Sequence, residues 1–225
     1  MIEIHNVETY GWEAAIRGMR NPLDSWDRSD SSYGCLDFGF RRDCDECSDN
    51  CGSRYHDYVV GSNDHSLMMK LAKAGSEHAK YRRMINVTCD ITAPLYLWKE
   101  IDTFKVGTVC NSCSTMHRIH AKEFTLDDFS HEHLTPDNLW MLEDIIKRLN
   151  SYRECFIETK LKDFWWQLIQ LLPSSYSQRR TLQMSYEVLA NMYRQRRNHK
   201  LDEWVDFCKW IESLPYSELI TLEEC

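Results

Sequence analysis

A chain of 225 residues with 43% apolar composition can bury a sizeable core in one domain or a tightly fused pair, which excludes disorder of the whole chain. A formal net charge of −8, with no long run of Lys or Arg, excludes a nucleic-acid polymer as natural partner, though two or three local cations suffice for a single nucleotide. No charged leader opens the chain and no stretch approaches eighteen consecutive apolar residues, so no membrane association is expected and the cytoplasm is the expected location; the ten cysteines are read as reduced thiols.

In chain order, Ile2, Ile4 and Val7 alternate as in a short strand, and Trp12, Ala15, Ile16 and Met19 predict a helix over 8–19. Residues 21–63 turn to Asp, Ser, Gly, Arg and Cys and read as a loop insertion. Asn63 or Asp64 is placed to cap a helix carrying Leu67, Met68, Leu71, Ala72 and Ala74, with Gly75 to end it. A strand is expected over 81–91, a short helix over 93–101 with Pro94 in its first turn, and an extended segment over 104–109. Thr135-Pro136 starts a helix bearing Leu142, Ile145, Ile146, Leu149, Tyr152 and Phe156. An apolar run over 164–172 stops at Pro173. Leu182, Tyr186, Leu189 and Tyr193 then predict a helix over 178–197, and a last helix is expected over 202–213. Strands and helices early and helices late argue for an α+β fold, a small antiparallel or mixed sheet packed with several helices in a single domain over 1–225.

Cys44, Cys47 and Cys51, with Cys35 before them and His56 after, have gaps that could converge on a metal, and Cys110 and Cys113 repeat the two-residue gap. The two groups lie too far apart in sequence for a compact zinc ribbon, and uncoordinated thiols are the preferred reading. The pairs His117/His120 and His131/His133 lack the spacing of a hydrolytic zinc motif. The glycine-rich dinucleotide loop, the phosphate-gripping loop and the serine hydrolase elbow are all missing.

Three segments in order carry a resemblance. Ala74-Gly-Ser-Glu77-His78 presents a Glu-His pair at the end of a helix. Pro94-Leu-Tyr-Leu-Trp98-Lys-Glu-Ile forms a helix leading into Thr103-Phe104-Lys105 and Thr108. Leu171-Leu-Pro173 runs on through Ser185-Tyr-Glu-Val-Leu-Ala-Asn191-Met-Tyr-Arg-Gln-Arg196 to His199 and Glu203. Together they resemble the flavin-dependent thymidylate synthases, whose fold is that of thymidylate synthase complementing proteins. The resemblance implies FAD as cofactor, held by Glu77, His78, Asn191 and His199. It implies NADPH and methylene-tetrahydrofolate as co-substrates and reductive methylation of a deoxyuridine monophosphate, dUMP. It also implies a homotetramer that builds its sites between subunits. Arg196 matches an arginine that meets the pyrimidine, while Lys105 and Thr108 fall in the family's signature motif, facing phosphate or flavin edge; no metal is implied.

The chain departs from the family where Arg-His-Arg has become Thr103-Phe104-Lys105, where Thr115 and Ile169 replace arginines, and where Ser185 and Glu187 replace Asn and Arg. Lys105 keeps a cation but not the bidentate fork of arginine. Arg17, Arg20, Arg82, Arg83 and Arg179 are candidate replacements. Two alternatives stand beside the synthase reading. One is a related flavoprotein acting on another pyrimidine nucleotide; the other is a non-catalytic nucleotide- or zinc-binding protein on the same scaffold.

Overall fold

Every second residue from Val87 to Ala93 is buried, and Asn86, Thr88, Asp90 and Thr92 between them are half-buried. That period of two makes Asn86–Pro94 a strand, β4, inside a four-stranded sheet of order β1-β4-β6-β5. The other members are β1 (Glu3–Tyr10), β5 (Thr108–Ser112) and β6 (Ser177–Ser185). A separate antiparallel pair joins β2 (Ser32–Cys35) to β3 (His56–Val59), with Tyr33 opposite Tyr58 and their rings edge to face at 5.1 Å. Eight α-helices complete the described chain: α1 (Trp12–Arg20), α2 (Ser62–Lys73), α3 (Leu95–Ile101), α4 (Pro136–Thr159), α5 (Lys162–Leu171), α6 (Tyr186–Arg196), α7 (Asp202–Glu212) and α8 (Glu218–Thr221). This computed structural model describes residues 2–35 and 56–222, and the fold is α+β. Cys44, Cys47 and Cys51 lie outside the described residues. No described helix is long and apolar enough to cross a membrane.

The chain divides into two compact units. The first comprises Met1–Glu8, Thr88–Gln183 and Gln195–Lys209, and the second Thr9–Val87, Met184–Arg194 and Trp210–Cys225. In the first unit, α4 and α5 lie against each other and bury Leu142, Ile146, Leu149 and Leu168 with Ile119, Phe124 and Phe129. Lys160, with φ at 58°, turns the chain between the two helices.

In the second unit, α1 buries the predicted stripe of Trp12, Ala15, Ile16 and Met19 but begins four residues later than expected, because β1 runs on to Tyr10. Gly11 makes that switch with φ at +92°, and a Cβ there would lie 2.0 Å from the carbonyl oxygen of Met84. The start of α2 is also set from afar. Its N-terminal residues Asn63 and Asp64 donate their N–H groups to the Asp30 carboxylate at 2.9 and 3.1 Å, so neither side chain serves as the expected cap. Gly61 leaves room for this contact, since a Cβ there would meet the Asp30 carboxyl at 2.2 Å.

Asp64 is instead the centre of a buried cluster. It accepts hydrogen bonds from Arg20 Nε at 2.6 Å, Ser29 Oγ at 2.7 Å, Ser31 Oγ at 2.6 Å and the N–H groups of Asp30 and Ser31. Arg20 spends its remaining donors on Ser25 and the carbonyl of Arg28. Thus the first part of the expected 21–63 loop carries two short 3-10 turns, 21–23 and 26–28, pinned by one ion pair.

Two further expectations need correcting. Residues 178–185 form β6 rather than a helix, because Gln178, Leu182 and Met184 alternate inward, and α6 begins only at Tyr186. The strand expected over 81–91 opens as a 3-10 turn, Ala79–Arg83, before extending at Asn86.

Candidate functional site

Within the second unit, α2 ends at Lys73 and Gly75, with φ at +102°, turns the chain so that Glu77 and His78 stand at the surface. Glu77 lies 3.9 Å from Lys80. Asn191 is half-buried on α6, and its amide oxygen accepts from Arg194 Nη2 at 3.1 Å. Glu187, where the resemblance expects an arginine, pairs with buried Arg82 at 2.7 Å, and Arg82 also bonds the carbonyl of Leu219 at 3.0 Å. Arg20 and Arg82 therefore hold the fold rather than replace lost nucleotide contacts. Arg17 pairs with Glu13 at 2.8 Å on the surface, and Arg83 is exposed.

In the first unit, Arg196 and His199 come together on one carboxylate. Glu100, in the last turn of α3, holds its Oε2 at 2.9 Å from the Trp204 indole N–H, 3.5 Å from His199 Nε2 and 3.6 Å from Arg196 Nε. The Arg196 guanidinium lies 5.4 Å from the ring centres of both Phe104 and Trp204, two cation–π contacts. Its Nε is buried and makes no hydrogen bond among the described residues, since 3.6 Å exceeds hydrogen-bond reach. His199 Nδ1 accepts the N–H of Leu201 at 3.2 Å, so the neutral ring carries its proton on Nε2, toward Glu100. Trp204 is fully buried and meets Phe207 and Phe104 edge-on. The carboxylate is thus tied to a rigid ring, with the guanidinium and the imidazole beside it.

Phe104 also lines a cleft of about 90 Å³, with Ile101, Asp102, Lys105, Thr108, Cys110 and Leu182. Lys105 is exposed, and Thr108 Oγ1 is buried with no hydrogen-bond partner among the described residues. Ligand pockets run to about 300–1,000 Å³, so this cleft takes one group of a ligand and not a flavin ring system. Arg180 stands on its rim, stacked 4.3 Å over Trp98, with Nη1 2.8 Å from Asp102 and 3.9 Å from Cys110 Sγ.

Neighbouring polar groups are committed elsewhere. Asp90 accepts from Asn6 at 2.8 Å, Arg179 at 2.6 Å and Thr181 at 2.5 Å, and these bonds, from Thr181 first, hold its carboxyl well below the usual range. Arg179, more than half exposed, spends Nη2 on that carboxylate. Tyr96 donates to buried Glu203 and contacts Ser130 Oγ at 2.9 Å, and burial followed by that carboxylate pushes its hydroxyl up. Among the described residues no three His, Cys, Asp or Glu are grouped to hold a metal. Cys110 and Cys113 are exposed free thiols.

Two solved structures of the flavin-dependent thymidylate synthase ThyX of Helicobacter pylori, both with FAD and dUMP, match the chain from end to end. The TM-scores are 0.65 and 0.64 at 15% identity, over 99% of this chain and 99% and 98% of theirs. The chain has the flavin-dependent thymidylate synthase fold. No family model and no curated protein sequence matches it, so the likeness is one of architecture. On this synthase fold, Arg196, His199, Lys105 and Thr108 belong to the first unit, where Phe104 is common to the Arg196 cluster and the cleft. Glu77, His78 and Asn191 belong to the second. Sequence reasoning missed Glu100 and Trp204 as members of the cluster, and counted Phe104 only as a lost histidine.

Proposed function

We propose that this chain is a flavin-dependent thymidylate synthase-like enzyme, one domain over 1–225, that binds FAD and a pyrimidine nucleotide, dUMP foremost. The observation that carries this reading is the cluster on Glu100, which sets the guanidinium of Arg196 and the imidazole of His199 side by side in a chain whose whole length follows the synthase fold. The donor set matches FAD in chemistry. Glu77 and His78 offer exposed polar groups, and Asn191 and His199 half-buried ones. Reduced FAD, when bound, supplies hydride to the pyrimidine. The chain's own residues position and polarise. Arg196 steadies negative charge on the base, and the rings of Phe104 and Trp204 support one side of its guanidinium. Lys105 and the unpartnered hydroxyl of Thr108 suit one phosphate in the cleft, and Asp102 on the same wall is neutralised by Arg180. Methylene-tetrahydrofolate as carbon donor, NADPH as reductant, a homotetramer and a cytoplasmic location complete the proposal.

One observation favours the variant in which the same scaffold serves another pyrimidine nucleotide, or binds without catalysis. Ile169, where the synthase motif has an arginine, is packed against the apolar cluster of α4 and α5, so no cation is available there. Calorimetric titration with the monophosphates of deoxyuridine, cytidine and thymidine separates the readings. Tightest binding of dUMP supports the synthase; preference for another base moves the assignment to the variant; failure of all three removes the nucleotide.

A further inference from the structure

Resting on the reading of Arg196 as the group that meets the pyrimidine, we propose that Glu100 is a positioning residue whose carboxylate fixes Arg196 for that contact. A single oxygen, Oε2, faces the indole N–H of Trp204 at 2.9 Å, His199 Nε2 at 3.5 Å and Arg196 Nε at 3.6 Å. The three do not contribute equally. The indole is fully buried and makes the one true hydrogen bond, so it anchors the carboxylate. Arg196 and His199 are partly exposed and lie beyond hydrogen-bond distance, so they are oriented by charge and crowding. An ion pair this exposed contributes little to folding. What it does supply is orientation. An arginine side chain is rich in rotamers, and Phe104 and Trp204, each 5.4 Å from the guanidinium and 6.0 Å from one another, meet it from one side only. The carboxylate at the Nε edge restricts the rotamers those rings leave open, and directs the opposite, Nη edge away from Glu100. His199 is held the same way, with its Nδ1 tied to the backbone of Leu201 and its Nε2 facing Glu100.

The test uses the whole protein labelled with ¹⁵N, with the Arg196 Nε–H signal assigned by its loss in Arg196→Lys. In the ligand-free wild type that signal is resolved and slow to exchange. Glu100→Ala merges it with the rapidly exchanging surface arginines. Glu100→Gln, which keeps an acceptor for Trp204 and so preserves the packing, keeps the indole signal in place while shifting and weakening the Arg196 signal. In calorimetry, Glu100→Ala weakens dUMP binding about tenfold, and adding it to Arg196→Ala costs nothing further. An Arg196 signal unchanged in both Glu100 variants overturns the positioning role, as does a dUMP loss that adds in full to that of Arg196→Ala. An Arg196 signal that depends on Glu100 in a wild-type protein that binds no dUMP supports the positioning role and refutes the nucleotide reading, so the two can fail separately.

Discussion

Replacing Asp64 by Asn keeps the shape of the side chain and removes the charge on which the segment 20–31 is organised. The carboxylate is fully buried and accepts five hydrogen bonds, and Arg20, 5% exposed at its side chain, has no other counter-ion in contact among the described residues. Breaking a buried pair from one side costs about 3–5 kcal/mol, because the remaining charge stays buried and uncompensated. With an unfolding entropy of about 2.1 cal/mol/K per residue, ~0.47 kcal/mol/K for a chain of 225, the melting temperature should fall by about 6–11 °C at pH 7. Burial works against ionisation of Asp64, but bonds from Ser31, Ser29 and Arg20 outweigh it and hold the folded-state pKa below the ordinary value. A carboxyl so depressed stabilises above its unfolded pKa, about 3.9, and the contribution is lost as pH falls through the lower folded value. The gap between wild type and Asp64→Asn, followed by calorimetric melts from pH 7 down to the acid limit of folding, should therefore be constant above about pH 5 and close below it. A shift under about 2 °C at neutral pH, or a gap that widens in acid, would refute the reasoning.

Gly11→Ala places a methyl 2.0 Å from a carbonyl oxygen at a backbone angle that L residues avoid, and is expected to cost about 3 kcal/mol or more in a denaturant titration, against about 1–2 kcal/mol at Gly75, where a Cβ meets nothing within 4 Å and the angle alone opposes it. Peptide mapping after brief native alkylation should find Cys110 and Cys113 modified and Cys89 silent, because Cys89 is buried and its thiol is pushed up to about 12. Arg196→Ala should weaken dUMP binding by roughly 10–150-fold, the worth of one charge-assisted contact of about 1.5–3 kcal/mol, and Arg196→Lys should recover only part of it. Equal affinities for the three proteins would take Arg196 out of the nucleotide site.

Helices with a clean apolar stripe were legible in the sequence. The stripes of α1 and α4, and the Pro173 stop after α5, all stand where the spacing puts them. What failed was the part of the pattern decided by distant partners. Residues 178–185 read as helix because Arg179 and Arg180 hide the alternation. Arg180 nevertheless packs inward as an apolar residue would, its guanidinium flat on Trp98, and Leu182 happens to fall four residues before Tyr186, across the boundary between strand and helix. The cap of α2 comes from Asp30, more than thirty residues upstream, and no local motif announces it. In the cluster on Glu100, Arg196 and His199 were named only through the resemblance of residues 185–203 to the synthase motif. Glu100 was not, because a glutamate near the end of a short helix looks like a solvated charge until the fold sets a buried indole against it. Phe104 was misjudged in a more instructive way. Read as the loss of a polar contact, it is one of two rings packed against the Arg196 guanidinium.

The most direct measurement is uptake of flavin by the purified chain. Titrated with FAD, the protein should quench flavin fluorescence to a stoichiometric end point, and subsequent dUMP should perturb the flavin absorption bands in wild type but much less in Arg196→Ala. A protein that folds cooperatively, is purified without colour and leaves FAD fluorescence unchanged at concentrations well above those of the chain would contradict the account.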